Sequence, residues 1–165
     1  MQCPRCICIA LQSSCEAEDG LRVYLDTSVL NRPFDDQTQP RVWLETQAFV
    51  VVLQMVEAGT VELASSSALR YENSRNPFPL RRSWVSRCLA LARQQRQVDE
   101  LTSARAAELE AGGLQAIDAL HIACAEAASS DYFLTCDDAV VRRYRGQVKV
   151  SNPVDFVLCV TEESS

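Results

Sequence analysis

Beyond Gly20 the chain alternates short apolar runs with helical stretches, and this alternation constrains the fold more than any other feature. Leu21 to Leu25 reads as a buried strand that stops at an acid, Asp26. Thr38 followed by Pro40 starts a helix in which Val42, Phe49, Leu53 and Val56 share a face until Gly59 ends it. Val61 to Ala64 is a second strand. Ser65 to Ser67 then cap a helix carrying Leu69, Arg70 and Glu72, which Asn76-Pro77-Phe78-Pro79 terminates. Leu80 to about Arg96 reads as a helix with a basic polar face, and a short strand is expected around Val98. Thr102 or Ser103 caps the next helix, which Gly112-Gly113 closes, and another helix spans Gln115 to Ala128. Tyr132 to Thr135 is a strand, a short helix runs from Asp137-Asp138 to about Tyr144, and Val148 to Val150 forms an edge strand. Strands alternating with helices predict an α/β, three-layer fold: a central parallel sheet of four or five strands flanked by helices. In such sheets ligands bind beyond the carboxyl ends of the strands.

A length of 165 residues, 47% hydrophobic and 23% charged, suits one domain with a sizeable core. Its expected limits are 21–158, preceded by a Cys-rich extension over 1–20 and followed by a tail over 159–165. The longest apolar run, Ala48 to Leu53, is broken by Gln54, far short of the roughly 18 residues a spanning helix needs. Arg5 and Cys6 to Leu11 are too short for a secretion signal, so a soluble, cytoplasmic protein is expected. Cys3, Cys6, Cys8 and Cys15 could offer zinc four thiolates, but the second CxxC knuckle of a zinc site is missing and a loose extension is preferred. Cys88, Cys124, Cys136 and Cys159 lie among apolar residues, as small buried hydrophobes do.

Acids recur at the strand ends with little counter-charge. Asp26 follows the first strand, Glu72 sits in the helix after the second, Asp118 precedes the fourth and Asp137 follows it. Asp118 stands out because Ala116, Ile117, Ala119, Leu120, Ile122 and Ala123 around it are apolar, which aims its carboxylate at a cluster or pocket. Gathered carboxylates repel and raise one another's pKa unless a hard divalent cation shares their charge. Mg²⁺ or Mn²⁺ fits an all-oxygen site and bridges to phosphate, so the chemistry implied is phosphodiester hydrolysis.

Competing chemistries fit worse. An aspartyl-phosphate phosphatase wants an acid two positions after Asp26, where Ser28 stands. A receiver domain wants an early acid pair and a lysine after a late strand, whereas Glu16 and Asp19 precede the fold and Lys149 lies in or beside the last strand. No GxGxxG or GxxxxGK[ST] glycine loop is present. His121 is the single histidine, one turn beyond Asp118, and reads as a packing or supporting residue.

The net charge of −6 argues against nucleic acid, but the average conceals an uneven distribution. Arg70, Arg75, Arg81, Arg82, Arg87, Arg93 and Arg96 face a single acid, Glu72, between Arg70 and Val98. Arg70, Arg75, Arg81 and Arg82 are therefore expected to contact the phosphates of a nucleic-acid substrate beside the acidic site.

The stretch Val23 to Asn31, Glu72 after a serine-started helix, Asp118 in Ile117 to Ala125 and Asp137 in Phe133 to Asp138 resemble a PIN domain over about Leu21 to Phe156. The resemblance implies metal-dependent RNA cleavage, with Mg²⁺ or Mn²⁺ held by Asp26, Asp118 and Asp137. Glu72 would hold metal or orient the attacking water. The family's hydroxyl positions fall on Thr27 or Ser28 and on Thr135, and Asp138 is an additional supporting acid. Many bacterial members of this size resemble VapC-type toxins, which implies RNA as substrate and admits an antitoxin protein and a homodimer as partners. The alternative is a catalytically inactive RNA- or protein-binding PIN-like module, which the presence of all four acids disfavours.

Overall fold

A computed structural model describes residues 20–163 and 165. The thiolate reading of Cys3, Cys6, Cys8 and Cys15 lies outside the described residues. In chain order the elements are β1 (Leu21–Leu25), α1 (Thr27–Leu30), a 3₁₀ turn (Arg32–Phe34), α2 (Pro40–Glu57), β2 (Val61–Ser66), α3 (Ser67–Ser74), α4 (Pro79–Leu89), β3 (Gln94–Arg96), α5 (Glu100–Ala111), α6 (Ala116–Ala127), β4 (Tyr132–Leu134), α7 (Asp138–Arg143), β5 (Lys149–Ser151) and α8 (Pro153–Glu163). The five strands form one wholly parallel sheet of order β3-β2-β1-β4-β5. This is the flanked α/β architecture expected from the alternation.

The central strand β1 buries Val23, Tyr24 and Leu25 completely, because a parallel strand covered on both faces has no solvent side. Tyr24 and its register partners Ala64 and Phe133 share one face, where Tyr24 stacks on Phe133 with ring centroids 5.6 Å apart. Helix α6 covers that face through His121, while α5 packs on α6 and α2 on α8. The chain steps from β1 to β2 on one side and later returns to β4 on the other. Strand order therefore reverses at β1, leaving a crevice at the carboxyl ends of β1 and β4.

Four elements, α4, β3, α5 and α8, differ from expectation. The basic helix stops at Leu89, and the following strand is Gln94–Arg96 rather than a segment around Val98. This edge strand is polar and mostly exposed, so it has no apolar pattern; it is defined by its backbone pairing with β2. Helix α5 is capped by Asp99, not by Thr102 or Ser103, since the Asp99 carboxylate accepts from the Thr102 N–H at 2.8 Å and its hydroxyl at 2.7 Å. Helix α8 is an addition, starting on Pro153 with Asn152 Oδ1 accepting from the Val154 N–H at 2.9 Å, and it continues past residue 158. Cys88, Cys124 and Cys136 are buried free thiols, whereas Cys159 on α8 is only half-buried.

Candidate active site

Asp26 sits at the crevice because β1 ends there. Its Oδ1 caps α1 through the Thr27 N–H at 2.8 Å. Its Oδ2 accepts from Ser28 Oγ at 2.6 Å and from Thr135 Oγ1 at 2.9 Å. The same hydroxyls accept in turn: Ser28 Oγ from the Cys136 N–H at 3.1 Å, and Thr135 Oγ1 from the Asp137 N–H at 3.1 Å. Together with the Asp26 N–H on Leu134 O at 2.9 Å, these bonds tie the ends of β1 and β4 together. Three donors thus fix the orientation of this buried carboxylate.

Glu72 reaches the same place from α3, whose N-cap is Ser66. Its Oε2 accepts from Thr27 Oγ1 at 2.8 Å and from His121 Nε2 at 2.6 Å. Oε1 makes no hydrogen bond among the described residues. Burial pushes the Glu72 carboxyl up, but the hydrogen bond and attraction from His121, with the Thr27 hydroxyl, outweigh it and hold the group below the usual carboxylate range. Behind His121, Nδ1 lies 3.2 Å from the Tyr24 hydroxyl, which lies 2.6 Å from Ser66 Oγ. Ser66 Oγ already accepts from the Leu69 N–H at 3.2 Å, so its own hydrogen is available to Tyr24.

Asp118, in the first turn of α6, makes no hydrogen bond or ion pair among the described residues. Its pKa is raised, first by burial and then by the charges of Asp26 and Asp137, with Glu72 adding to the rise and His121 opposing it. The four acids that are far apart in sequence thus act in one electrostatic neighbourhood. Asp137 caps α7 through the Ala139 N–H at 2.8 Å and is otherwise exposed. Asp138 is engaged elsewhere, in a bidentate pair with Arg41 of α2 at 2.7 Å for both contacts.

Among the described residues no three His, Cys, Asp or Glu side chains form a ready-made metal group. The donor set nonetheless suits a hard divalent cation. It offers carboxylate and hydroxyl oxygens, and Asp118 forms no ion pair with an Arg or Lys among the described residues. Asp26 accepts from one backbone N–H and two hydroxyls, and Glu72 from one hydroxyl and the His121 imidazole.

A cavity of about 580 Å³ opens beside this cluster, with Thr27, Asn31, Glu72, Arg75, Phe78 and Arg81 in its wall. Of the four arginines expected at the substrate, Arg75 and Arg81 line it. Arg70 and Arg82 line a neighbouring depression instead, where Arg70 bonds Gln95 and Arg82 donates to Asn76 O at 2.6 Å. Sequence pattern alone misses the Ser66–Tyr24–His121 chain, although a tyrosine two residues before Asp26 in a buried strand marks a hydroxyl that needs a partner.

A family model described as the PIN domain matches residues 23–146. The crystal structure of VapBC2 from Rickettsia felis bound to a DNA fragment from their promoter contains a similar chain, 15% identical, with a TM-score of 0.52 over 80% of this chain and 98% of that one. No curated protein matches the sequence.

Proposed function

Because the chain belongs to the PIN domain family, whose members are generally nucleases, we propose that it is a metal-dependent endoribonuclease. The observation that carries this reading is the arrangement at the carboxyl ends of β1 and β4, where Asp26 is held by Thr27, Ser28 and Thr135, Glu72 by Thr27 and His121, and Asp118 has its pKa raised first by burial and then by Asp26 and Asp137. In this proposal Asp26, Asp118 and Asp137 hold Mg²⁺ or Mn²⁺. The cation, when bound, supplies polarisation of a phosphoryl oxygen and offsets the carboxylate charge. Glu72 presents its free Oε1 to the attacking water or to the cation, while Thr27 and His121 fix Oε2. Ser28 and Thr135 hold Asp26 in one orientation, and Arg75 and Arg81 meet phosphates flanking the scissile one.

Among the described residues no helix is long and apolar enough to cross a membrane. We place the protein in the cytoplasm, acting alone or as a homodimer. An antitoxin protein is proposed as its partner, on the likeness to a chain of the VapBC2 complex. A second reading, a PIN-like module that binds RNA or protein without turnover, is favoured by the lack of three gathered ligands among the described residues. Incubating a pool of RNAs with the protein, with Mn²⁺ or with excess EDTA, separates the two. Cleavage only with Mn²⁺, lost in Asp26→Asn, supports the nuclease; binding without cleavage supports the module, and cleavage undiminished in EDTA refutes the metal mechanism.

A further inference from the structure

The groove beside Glu72 has a composition that catalysis by the acids does not require. Tyr71 is 64% exposed and Phe78 56% exposed, and both line the cavity. Large rings left in water beside a site forgo the stabilisation of burial, and they mark a contact surface when they cluster. Each ring carries a cation: the Arg75 guanidinium lies 5.7 Å from the Tyr71 centroid, and that of Arg81 lies 4.8 Å from Phe78 and 5.4 Å from Phe34.

The charge of these arginines is unspent. Among the described residues Arg22, Arg32, Arg41 and Arg105 form salt bridges with acids, whereas none of the seven arginines from Arg70 to Arg96 does. Arg75 donates to the Tyr71 hydroxyl at 3.0 Å and Arg81 to Phe34 O at 3.2 Å, neutral acceptors that leave each positive charge uncompensated. Phe78 is also held in advance. Prolines 77 and 79 flank it, its N–H donates to Asn76 Oδ1 at 3.0 Å, and it caps the start of α4. A backbone fixed before binding loses less entropy on contact.

We infer that this groove is a platform for unpaired RNA, with Tyr71 and Phe78 stacking two bases and Arg75 and Arg81 holding the phosphates between them. Alternating rings and cations match a strand that alternates bases and phosphates, and a strand so held runs along the wall that carries Thr27 and Glu72. A duplex cannot use the rings, since its bases are stacked on one another. The platform therefore selects single-stranded or looped RNA. This inference rests on the ribonuclease reading of the adjacent acids.

The test uses the full chain carrying Asp26→Asn, so that RNA is bound and not cut. Fluorescence anisotropy measures its affinity for a labelled 12-nucleotide unstructured RNA and for the same strand in a duplex. The expected result is tighter binding of the single strand, a loss of about tenfold for each of Tyr71→Ala and Phe78→Ala, and duplex binding unmoved by either. Thermal unfolding should be unchanged, because exposed rings contribute little to the core. Arg75→Ala with Arg81→Ala should lower the single-strand salt slope by roughly 1.4, about 0.7 for each contact. Single-strand affinity unchanged in both Tyr71→Ala and Phe78→Ala, or duplex bound as tightly as single strand by the parent, overturns the platform and gives the groove to a protein segment while RNA recognition stands. Absence of RNA binding by the parent in either form overturns the platform and the ribonuclease reading together.

Discussion

Nε2 of His121 lies 2.6 Å from Oε2 of Glu72, and the carboxylate in this contact can only accept. Nε2 therefore carries a hydrogen. The buried Tyr24 hydroxyl, whose pKa burial pushes well above its ordinary value, keeps its proton and directs it at Nδ1. When neutral, the single histidine is thereby held as the Nε2–H tautomer by the chain from Ser66 through Tyr24.

Because there is one histidine, ¹⁵N-histidine labelling yields one imidazole in a long-range ¹H–¹⁵N correlation spectrum. For the neutral ring the expected pattern is a protonated Nε2 and a bare, hydrogen-bond-accepting Nδ1. Tyr24→Phe removes the donor to Nδ1 and should mix the tautomers. A protonated Nδ1 with bare Nε2 in the parent contradicts the assignment.

Asp118 should be worth more to activity than to stability. Its raised pKa means that the ionised form is disfavoured in the folded protein, so its charge costs stability at neutral pH. Asp118→Asn is expected to raise the melting temperature in EDTA and to abolish cleavage. Mg²⁺ or Mn²⁺ should raise the melting temperature of the parent in proportion to the logarithm of concentration, and of the variant much less. An Asp118→Asn protein that melts lower than the parent in EDTA would show that the repulsion is not there.

The acids and their setting were legible in the sequence because strand alternation fixes where chain ends emerge. Asp26, Asp118 and Asp137 follow from β1, α6 and β4 with no side-chain detail. Polar partnerships were not legible. Asp138 and Arg41 pair across elements far apart in sequence, and no local pattern announces that contact. The edge strand β3 carries Gln94 and Gln95, so apolar periodicity had nothing to register. Of the arginines, composition gave the basic segment as a whole, while only the orientations of α3 and α4 separate Arg75 and Arg81 from Arg70 and Arg82.

Glu45 is the structural counterweight to the site. It is 1% exposed, and its carboxylate accepts from Arg32 at 2.6 Å, Arg41 at 2.9 Å and Asn152 at 2.6 Å. Removing it takes the acceptor from the half-buried Arg32 and from Asn152, while Arg41 is exposed and keeps Asp138, and Glu45→Ala should lower stability by about 1 to 3 kcal/mol in a urea titration. Burial raises its pKa, but the bonds from Arg41, Asn152 and Arg32 prevail and lower it. A depressed folded-state pKa means the stabilisation is complete above the unfolded value and is lost as pH falls through the folded one. Stability of the parent should thus decline on acidification more steeply than that of the variant.

Thr135→Val keeps the shape of the side chain and removes one donor to Asp26 Oδ2 and the acceptor of the Asp137 N–H. A loss of about 1 to 3 kcal/mol is expected by denaturant unfolding. Cleavage should fall as well, since Asp26 and Asp137 are the groups released.

A divalent cation shared by Asp26, Asp118 and Asp137, as proposed, is directly visible to anomalous diffraction from Mn²⁺-soaked crystals. The expected result is an anomalous peak bordered by carboxylate oxygens of these three residues, and its disappearance in Asp118→Asn. Mn²⁺ bound only elsewhere on the surface, with the crevice between β1 and β4 empty at saturating metal, would contradict it.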